Sequence, residues 1–172
     1  MLTAPELAFT DEWRVAAEPA QVWAVVRRVE GWPGWWPSVR SVVPLRNNRT
    51  GGAAPGWEFT FRTRLPYTMI FDAELVREEP LVEVQTRITG RVRGSGTWGV
   101  RAVDGGTLVR FDWLVRPELT WMRLVTPIAR PVFRWNHREL MAEGGAALAQ
   151  RLGARLLSPP VTELRPSPRM YS

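Results

Sequence analysis

The strongest constraint on the fold is a series of short alternating segments between residues 57 and 116, joined by very short connections. Residues 57–64 place Trp57, Phe59 and Phe61 on one parity and charged side chains mostly on the other, which is typical of a half-buried strand. Further strands are predicted over residues 68–78, 81–91, 95–103 and 107–116. Parallel strands need long crossovers, so the pattern predicts an antiparallel meander.

Two more strands are predicted before this meander. Residues 9–17 alternate as a half-buried strand, and Pro19 suits the first turn of a short helix that follows. Prolines and glycines end that helix in residues 31–37, and a strand is predicted over 39–45. Residues 47–56 are rich in Asn and Gly and predict a flexible hairpin loop. The count is therefore about seven strands.

The pattern becomes helical after Pro117, with a broken piece near residues 119–126 and a long helix from about 129 to 157. Phe133, His137, Leu140 and Leu148 fall on one side of that helix. A Pro-rich segment follows, so the prediction is one domain over residues 1–157 and an extended or disordered tail over residues 158–172.

Several reactive residue types are absent from the sequence, and their absence excludes several kinds of chemistry. All 23 basic residues are Arg, so no lysine can form a Schiff base, and there is no cysteine for thiolate chemistry. The single histidine cannot supply an iron site of two histidines and a carboxylate. Phosphate-binding and dinucleotide-binding glycine motifs are also absent from the sequence. We therefore expect no metal and no cofactor.

Charge and hydropathy bear on partners and location. The formal net charge is +6, but the arginines alternate with acids along the chain, so nucleic acid is not the favoured partner. No apolar run approaches the roughly 20 residues of a membrane span, and residues 1–9 do not resemble a signal peptide. We expect a cytoplasmic protein, either a monomer or a homodimer.

Four short stretches carry a resemblance to a known family. They are Ala-Glu-Pro-Ala-Gln-Val-Trp at 17–23, Trp-Pro-Gly-Trp-Trp-Pro at 32–37, Gly-Thr-Trp at 96–98, and Phe-Arg-Trp-Asn-His at 133–137 before Met141. With the order of elements, they make residues 9–157 resemble the START/polyketide-cyclase superfamily. The resemblance implies an α+β helix-grip fold, in which a curved antiparallel sheet of about seven strands wraps a long C-terminal helix and leaves a cavity.

This fold would give the cavity an apolar lining. The inward residues would be Phe59, Phe61, Phe71, Val82, Val84, Trp98, Val100, Val109, Phe111 and Trp113. Such a lining favours a hydrophobic small molecule, such as a lipid, a polyketide or another aromatic metabolite. The superfamily includes carriers, cyclases, ring-hydroxylase subunits and chaperone activators, so the fold does not select one activity. We favour a carrier or sensor.

His137 is the leading polar candidate because it lies within the apolar stripe of the long helix. It is either a ligand contact or a core histidine satisfied by neighbours. Asn136 lies at the stripe's edge and orients a ligand, caps backbone or is exposed to solvent. The predicted ligand-binding set is His137, Asn136, Trp98, Trp113, Phe59, Phe61, Phe71, Phe111, Phe133 and Leu140.

Other interpretations remain open at this point. The same cavity suits a cyclase or dehydratase that acts by positioning, with His137 or a cavity arginine polarising a carbonyl; no catalytic residue is assigned. A collapsed cavity would instead favour a protein-interaction module with an exposed apolar mouth. Trp32, Trp35 and Trp36 either form a lid over the cavity or plug the end of the sheet.

Overall fold

The computed structural model describes residues 6–45 and 54–165, which form one curved antiparallel sheet and two α-helices. The strands are β1 (Leu7–Val15), β2 (Val39–Pro44), β3 (Gly56–Arg62), β4 (Thr68–Glu79), β5 (Glu83–Gly90), β6 (Val92–Val103), β7 (Gly106–Pro117) and β8 (Leu156–Arg165). The helices are α1 (Pro19–Arg27), a short 3₁₀ helix (Val29–Gly34) and α2 (Thr120–Arg151).

The strands lie in the order β2-β3-β4-β5-β6-β7-β1-β8, and every neighbouring pair is antiparallel. Strands β2 to β7 therefore form the predicted meander, and β1 extends the sheet by pairing with β7. The α+β fold, the antiparallel sheet and the long C-terminal helix are confirmed. The predicted loop over residues 47–56 lies largely outside the described residues.

The sheet contains an eighth strand that the sequence analysis did not find. Strand β8 begins at Leu156, pairs with β1, and crosses the domain boundary predicted at residue 157. Its two prolines, Pro159 and Pro160, obscured the strand pattern. They are tolerated because β8 has only one neighbour, β1, and lies at the edge of the sheet. The end of the predicted tail, residues 166–172, lies outside the described residues.

Helix α2 is continuous where a break was predicted. It spans 32 residues from Thr120 and contains both Pro127 and Pro131. Pro131 removes a backbone donor but its ring is exposed to solvent, so the helix continues with a missing hydrogen bond. The helix ends at Arg151, earlier than the predicted residue 157, because Gly153 adopts a left-handed conformation (φ 62°) and its amide caps the Gln150 carbonyl.

Two glycines let α2 approach the sheet very closely. A Cβ atom built on Gly144 would lie 2.5 Å from Cε2 of Trp36 and 2.9 Å from Cζ2 of Trp13. Gly145 lies equally close to the Trp13 ring, and both indoles are almost fully buried. The C-terminal half of α2 is thereby packed against the tryptophans, while its N-terminal half is more exposed. No helix among the described residues is long and apolar enough to cross a membrane.

Candidate functional site

A cavity of about 140 Å³ lies between the sheet and α2 and is partly open to the surface. Nineteen residues line it, from β1, the segment after the 3₁₀ helix, β3 to β7 with their flanking turns, and α2. Fifteen of them are apolar; the others are Thr63, Tyr67, Asn136 and His137. Engineered apolar cavities of roughly 150 Å³ accept benzene, so the space is large enough for a small aromatic group.

A second cavity of about 50 Å³ lies further along the sheet, toward α1 and the 3₁₀ helix. Trp113 and Phe71 line both cavities, so their rings separate the two spaces. The charged residue at the second cavity is Arg27, whose Nε and Nη2 donate hydrogen bonds to Glu78 at 2.7 and 2.8 Å. These hydrogen bonds from Arg27 hold the pKa of the Glu78 carboxyl below its ordinary value.

All ten residues of the predicted ligand-binding set line one of the two cavities. Seven surround the larger one: His137, Asn136, Trp113, Phe61, Phe71, Phe133 and Leu140. The remaining three, Trp98, Phe59 and Phe111, line the smaller one. Contact of these residues with a ligand stays a prediction. Val82 was wrongly assigned to the inward face: it is 49% exposed, because it lies in the turn before β5, next to Leu81 with φ 63°.

His137 is held by an aspartate that the sequence analysis missed. Its Nε2 lies 2.7 Å from Oδ2 of Asp11, which is completely buried in β1. The Thr162 hydroxyl of β8 donates to Oδ1 of the same carboxyl at 2.5 Å. Phe9 stacks on the imidazole with ring centroids 4.1 Å apart. The signal was available, since Asp11 shares the inward parity of Phe9 and Trp13.

The hydrogen bond with Asp11 orients the imidazole. A carboxylate accepts hydrogen bonds, so Nε2 of His137 carries a hydrogen and donates the hydrogen bond to Asp11. The other ring nitrogen, Nδ1, has no hydrogen-bond partner among the described residues, and the side chain is 20% exposed. In the neutral ring, Nδ1 is then the nitrogen with a free lone pair. Such an arrangement, a histidine positioned by a buried carboxyl, can accept a proton or a hydrogen bond.

Asn136 and Thr63 form hydrogen bonds within the protein. Asn136 Oδ1 accepts a hydrogen bond from the Arg64 amide at 2.8 Å. The Thr63 hydroxyl contacts the Leu65 and Tyr67 carbonyls at 3.0 and 2.7 Å. Together they hold the turn between β3 and β4 against α2. The side-chain nitrogen of Asn136 has no partner among the described residues, so it remains available at the cavity wall.

Two further donors at the cavity were not predicted for this role. Burial raises the pKa of Tyr67 above its ordinary value of 10.0, so its hydroxyl keeps the proton and can donate at neutral pH. Nε1 of Trp113 is buried and has no hydrogen-bond partner within the described part of the chain. A buried indole N–H usually has a partner, so this one is a candidate donor to a ligand. No sequence signal singles out Tyr67, which lies in a turn.

The tryptophans of the turn-rich segment are anchored in the core. Trp32 Nε1 donates to the Val26 carbonyl at 2.9 Å, and Trp36 Nε1 donates to the Leu140 carbonyl at 3.2 Å. Both rings are buried, whereas Trp35 is half-buried and stacks on Trp36. Trp36 forms part of the larger cavity and Trp32 part of the smaller one. These contacts favour a plug over a mobile lid.

Solved structures with similar folds share little sequence with this chain. A di-domain aromatase/cyclase, BexL from the BE-7585A biosynthetic pathway, has a TM-score of 0.68 at 16% identity, covering 90% of this chain and 52% of that one. The chain thus spans about half the length of the di-domain proteins. The Zhui aromatase/cyclase from Streptomyces sp. R1128 has a TM-score of 0.63 at 14% identity, with 87% and 93% covered.

A START superfamily protein from Mycobacterium smegmatis has a TM-score of 0.63 at 17% identity, with 86% of this chain and 97% of that one covered. At these identities the structural matches establish the fold alone. A search of curated protein sequences found no match. The family model for polyketide cyclase / dehydrase and lipid transport matches residues 6–156. Because that match covers most of the sequence, the chain belongs to the polyketide cyclase / dehydrase and lipid transport family.

Proposed function

We propose that the protein binds a hydrophobic small molecule, such as a lipid, a polyketide or another aromatic metabolite, in the larger cavity and acts as a carrier or sensor. The observation that carries this proposal is the cavity lining, in which fifteen of nineteen residues are apolar. Burying about 200 Å² of apolar ligand surface there contributes about 5 kcal/mol. The few polar groups then select the orientation of the ligand.

Four polar groups at the cavity can orient a bound ligand. His137 and Asn136 are neighbours on α2, and Tyr67 and Trp113 face the same cavity from the sheet side. Tyr67 and Trp113 are donors, and Nδ1 of His137 is an acceptor in the neutral ring. A ligand with a carbonyl or hydroxyl group on a largely apolar body matches this set. Solved structures of similar fold include aromatase/cyclases.

Native mass spectrometry of protein purified from its own host tests the proposal directly. A stoichiometric adduct of an apolar molecule, released by solvent extraction, is the expected result. Binding of the fluorescent probe 1-anilinonaphthalene-8-sulfonate then tests whether apolar molecules bind in the larger cavity. Leu140→Trp fills the cavity and should weaken probe binding about tenfold or more, whereas Leu140→Met, which conserves volume, should leave it within about twofold.

Met69→Trp provides a second blocking variant, because Met69 lines the cavity from β4 and is only half-buried. Circular dichroism checks that each variant folds. The proposal fails when both folded tryptophan variants bind the probe as tightly as the wild type. It also fails when neither an adduct nor saturable probe binding is found.

A second candidate function is that of a polyketide cyclase or dehydratase, and the Asp11–His137 pair favours it. Nδ1 of His137 would remove a proton from the carbon between two ketones of a poly-β-ketone chain. The resulting enolate carbon would form a bond to another carbonyl carbon, whose oxygen would take the proton back from His137. That bond closes the ring; removal of the second proton from the same nucleophilic carbon, with departure of the new hydroxyl as water, would then form a carbon–carbon double bond in it. The apolar walls would impose the folded conformation of the chain.

A linear poly-β-ketone thioester serves as the probe for this second candidate. If it holds, the wild type forms a cyclised, dehydrated product that is detected by its mass, and His137→Gln lowers the rate by about 100-fold or more. Phe133→Leu, at the same cavity wall, is the matched control for packing. A wild-type rate equal to that in buffer would leave the carrier as the only candidate.

A further inference from the structure

The first half of α2 carries an apolar stripe on its outer surface, formed by Trp121, Leu124, Val125, Ile128, Val132 and Trp135. All six side chains are exposed, Ile128 to 87% and Leu124 to 73%. With 3.6 residues per turn, the six fall within an arc of about 100°. Single exposed apolar residues are normal on protein surfaces, but a contiguous patch marks an interaction site.

The same turns are positively charged. Residues 120–137 include Arg123, Arg130 and Arg134 and no acidic residue. Arg123 and Arg134 form no ion pair within the described part of the chain, and Arg130 donates to the Glu6 carbonyl at 3.3 Å. The arginines lie on the side of the helix away from the apolar stripe. Trp121 and Trp135 mark the two ends of the stripe, about 21 Å apart along the helix.

We propose that this stripe binds the surface of an anionic lipid bilayer, with the first half of α2 lying in the plane of the interface. A helix with Trp and aliphatic residues on one face and arginines on the other is the pattern of an interfacial helix. Tryptophan rings at the ends suit the headgroup level, and each arginine near an anionic surface adds attraction. This inference goes beyond the proposed function and does not depend on a cavity ligand.

Charge argues against a second copy of the chain as the occupant. A second copy carries the same three arginines and no acid in residues 120–137, so it offers this segment no complementary charge. Like charges at an interface are unfavourable. Anionic headgroups supply the complementary charge that the segment lacks.

The stripe lies directly outside the cavity wall. Met122 and Phe133, on the same turns of α2, line the larger cavity. The Tyr67 ring, which also lines the cavity, makes an edge contact with the stripe residue Trp121 at a centroid distance of 5.7 Å. A bilayer on the stripe would therefore contact the same turns of α2 that line the cavity.

Sedimentation with vesicles tests the proposal. The full chain is mixed with vesicles of phosphatidylcholine and phosphatidylserine, or of phosphatidylcholine alone. We expect binding to the anionic vesicles that weakens as salt is added. The double variant Leu124→Ser/Ile128→Ser should bind about tenfold or more weakly, and Arg123→Gln/Arg134→Gln should lose about fivefold per charge. Val76→Ser, at another exposed apolar residue (58% exposed), is the matched control and should bind as the wild type does.

Equal binding of the wild type and the Leu124→Ser/Ile128→Ser variant to the anionic vesicles would overturn the proposal. So would a wild-type dimer in sedimentation velocity that dissociates in this variant while neither protein binds vesicles, because the stripe would then belong to a second copy. Thermal unfolding checks that the two double variants fold. We expect both to fold, because the substituted side chains are exposed to solvent. Binding of 1-anilinonaphthalene-8-sulfonate to the cavity is measured separately, so a failure here leaves the proposed ligand function untouched.

Discussion

Nε2 of His137 lies 2.7 Å from Oδ2 of Asp11, and this contact joins helix α2 to strand β1 at the cavity wall. The same carboxyl accepts a hydrogen bond from Thr162, so strand β8 is tied to the pair as well. Asp11 has no exposed surface, and a buried carboxyl is tolerated only when hydrogen bonds replace its lost water. The Asp11 side chain therefore links strand β1, helix α2 and strand β8, which are distant in sequence.

We expect Asp11→Asn to lower the free energy of unfolding by about 2 kcal/mol, because the amide keeps an acceptor oxygen for only one of the two partners and places an NH2 group against the other. Urea denaturation measures this, and Thr162→Val, which removes only one partner, should lose about 1 kcal/mol. A double-mutant cycle of Asp11→Asn with His137→Gln should give a coupling of about 1 kcal/mol or more. Additive effects of the two substitutions would show that the pair does not contribute as a unit.

The parts of the fold that were predictable are those governed by local periodicity. The alternation in β4, β6 and β7 located these strands to within a few residues, and the apolar stripe of α2 placed His137, Leu140 and Phe133 on the cavity side. The short connections fixed the antiparallel order. These features depend on residues close in sequence, so local sequence patterns are enough to predict them.

The features that escaped prediction depend on tertiary context. Asp11 and His137 are 126 positions apart, and their meeting depends on the register of α2 against β1, which no local pattern specifies. Strand β8 contains Pro159 and Pro160, which are acceptable only because the strand lies at the edge of the sheet. Val82 had the parity of a strand residue, but a left-handed Leu81 placed it in a turn.

Gly144→Ala should destabilise the protein strongly. The new Cβ would lie 2.5 Å from the buried Trp36 ring and 2.9 Å from Trp13, and neither ring has room to move in a packed core. We expect a loss of about 3 kcal/mol by thermal or urea unfolding. Gly153→Ala is the control: its φ is 62° but no atom lies within 4 Å of the new Cβ, so it should lose only about 1 kcal/mol. Equal losses would contradict the close packing of α2 on the tryptophans.

Glu78→Gln should make the free energy of unfolding depend less on pH at acid pH. Hydrogen bonds from Arg27 lower the pKa of Glu78 from its ordinary value of 4.5, so the folded state releases the proton more readily than the unfolded state. The stabilisation is therefore fully present above about pH 4.5 and is lost as the pH falls through the lowered value. At neutral pH the variant should lose about 1 kcal/mol or less, since the pair is partly solvated.

Glu79→Gln is the matched control for this prediction. Glu79 lies next in the chain and pairs with Arg77, but both side chains are more than half exposed. Its substitution should leave the profile unchanged within about 0.5 kcal/mol. Urea unfolding at a series of pH values distinguishes the two variants, and identical profiles would show that the Arg27–Glu78 pair adds nothing to stability.

Pro131→Ala should stabilise the protein. Pro131 lies inside the continuous helix α2, where its ring withholds one backbone hydrogen bond, and its side chain is exposed. Alanine restores the donor and removes the steric clash, a gain of about 3 kcal/mol, from which the greater freedom of the unfolded chain subtracts up to about 1 kcal/mol. We expect a net gain of about 2 kcal/mol and a small rise in helical circular dichroism.

Pro19→Ala is the control, because Pro19 occupies the first turn of α1, where no donor is needed, and it should give no gain. A loss of stability in Pro131→Ala would indicate that Pro131 lies in the first turn of a helix that begins near residue 129, as the sequence alone predicts.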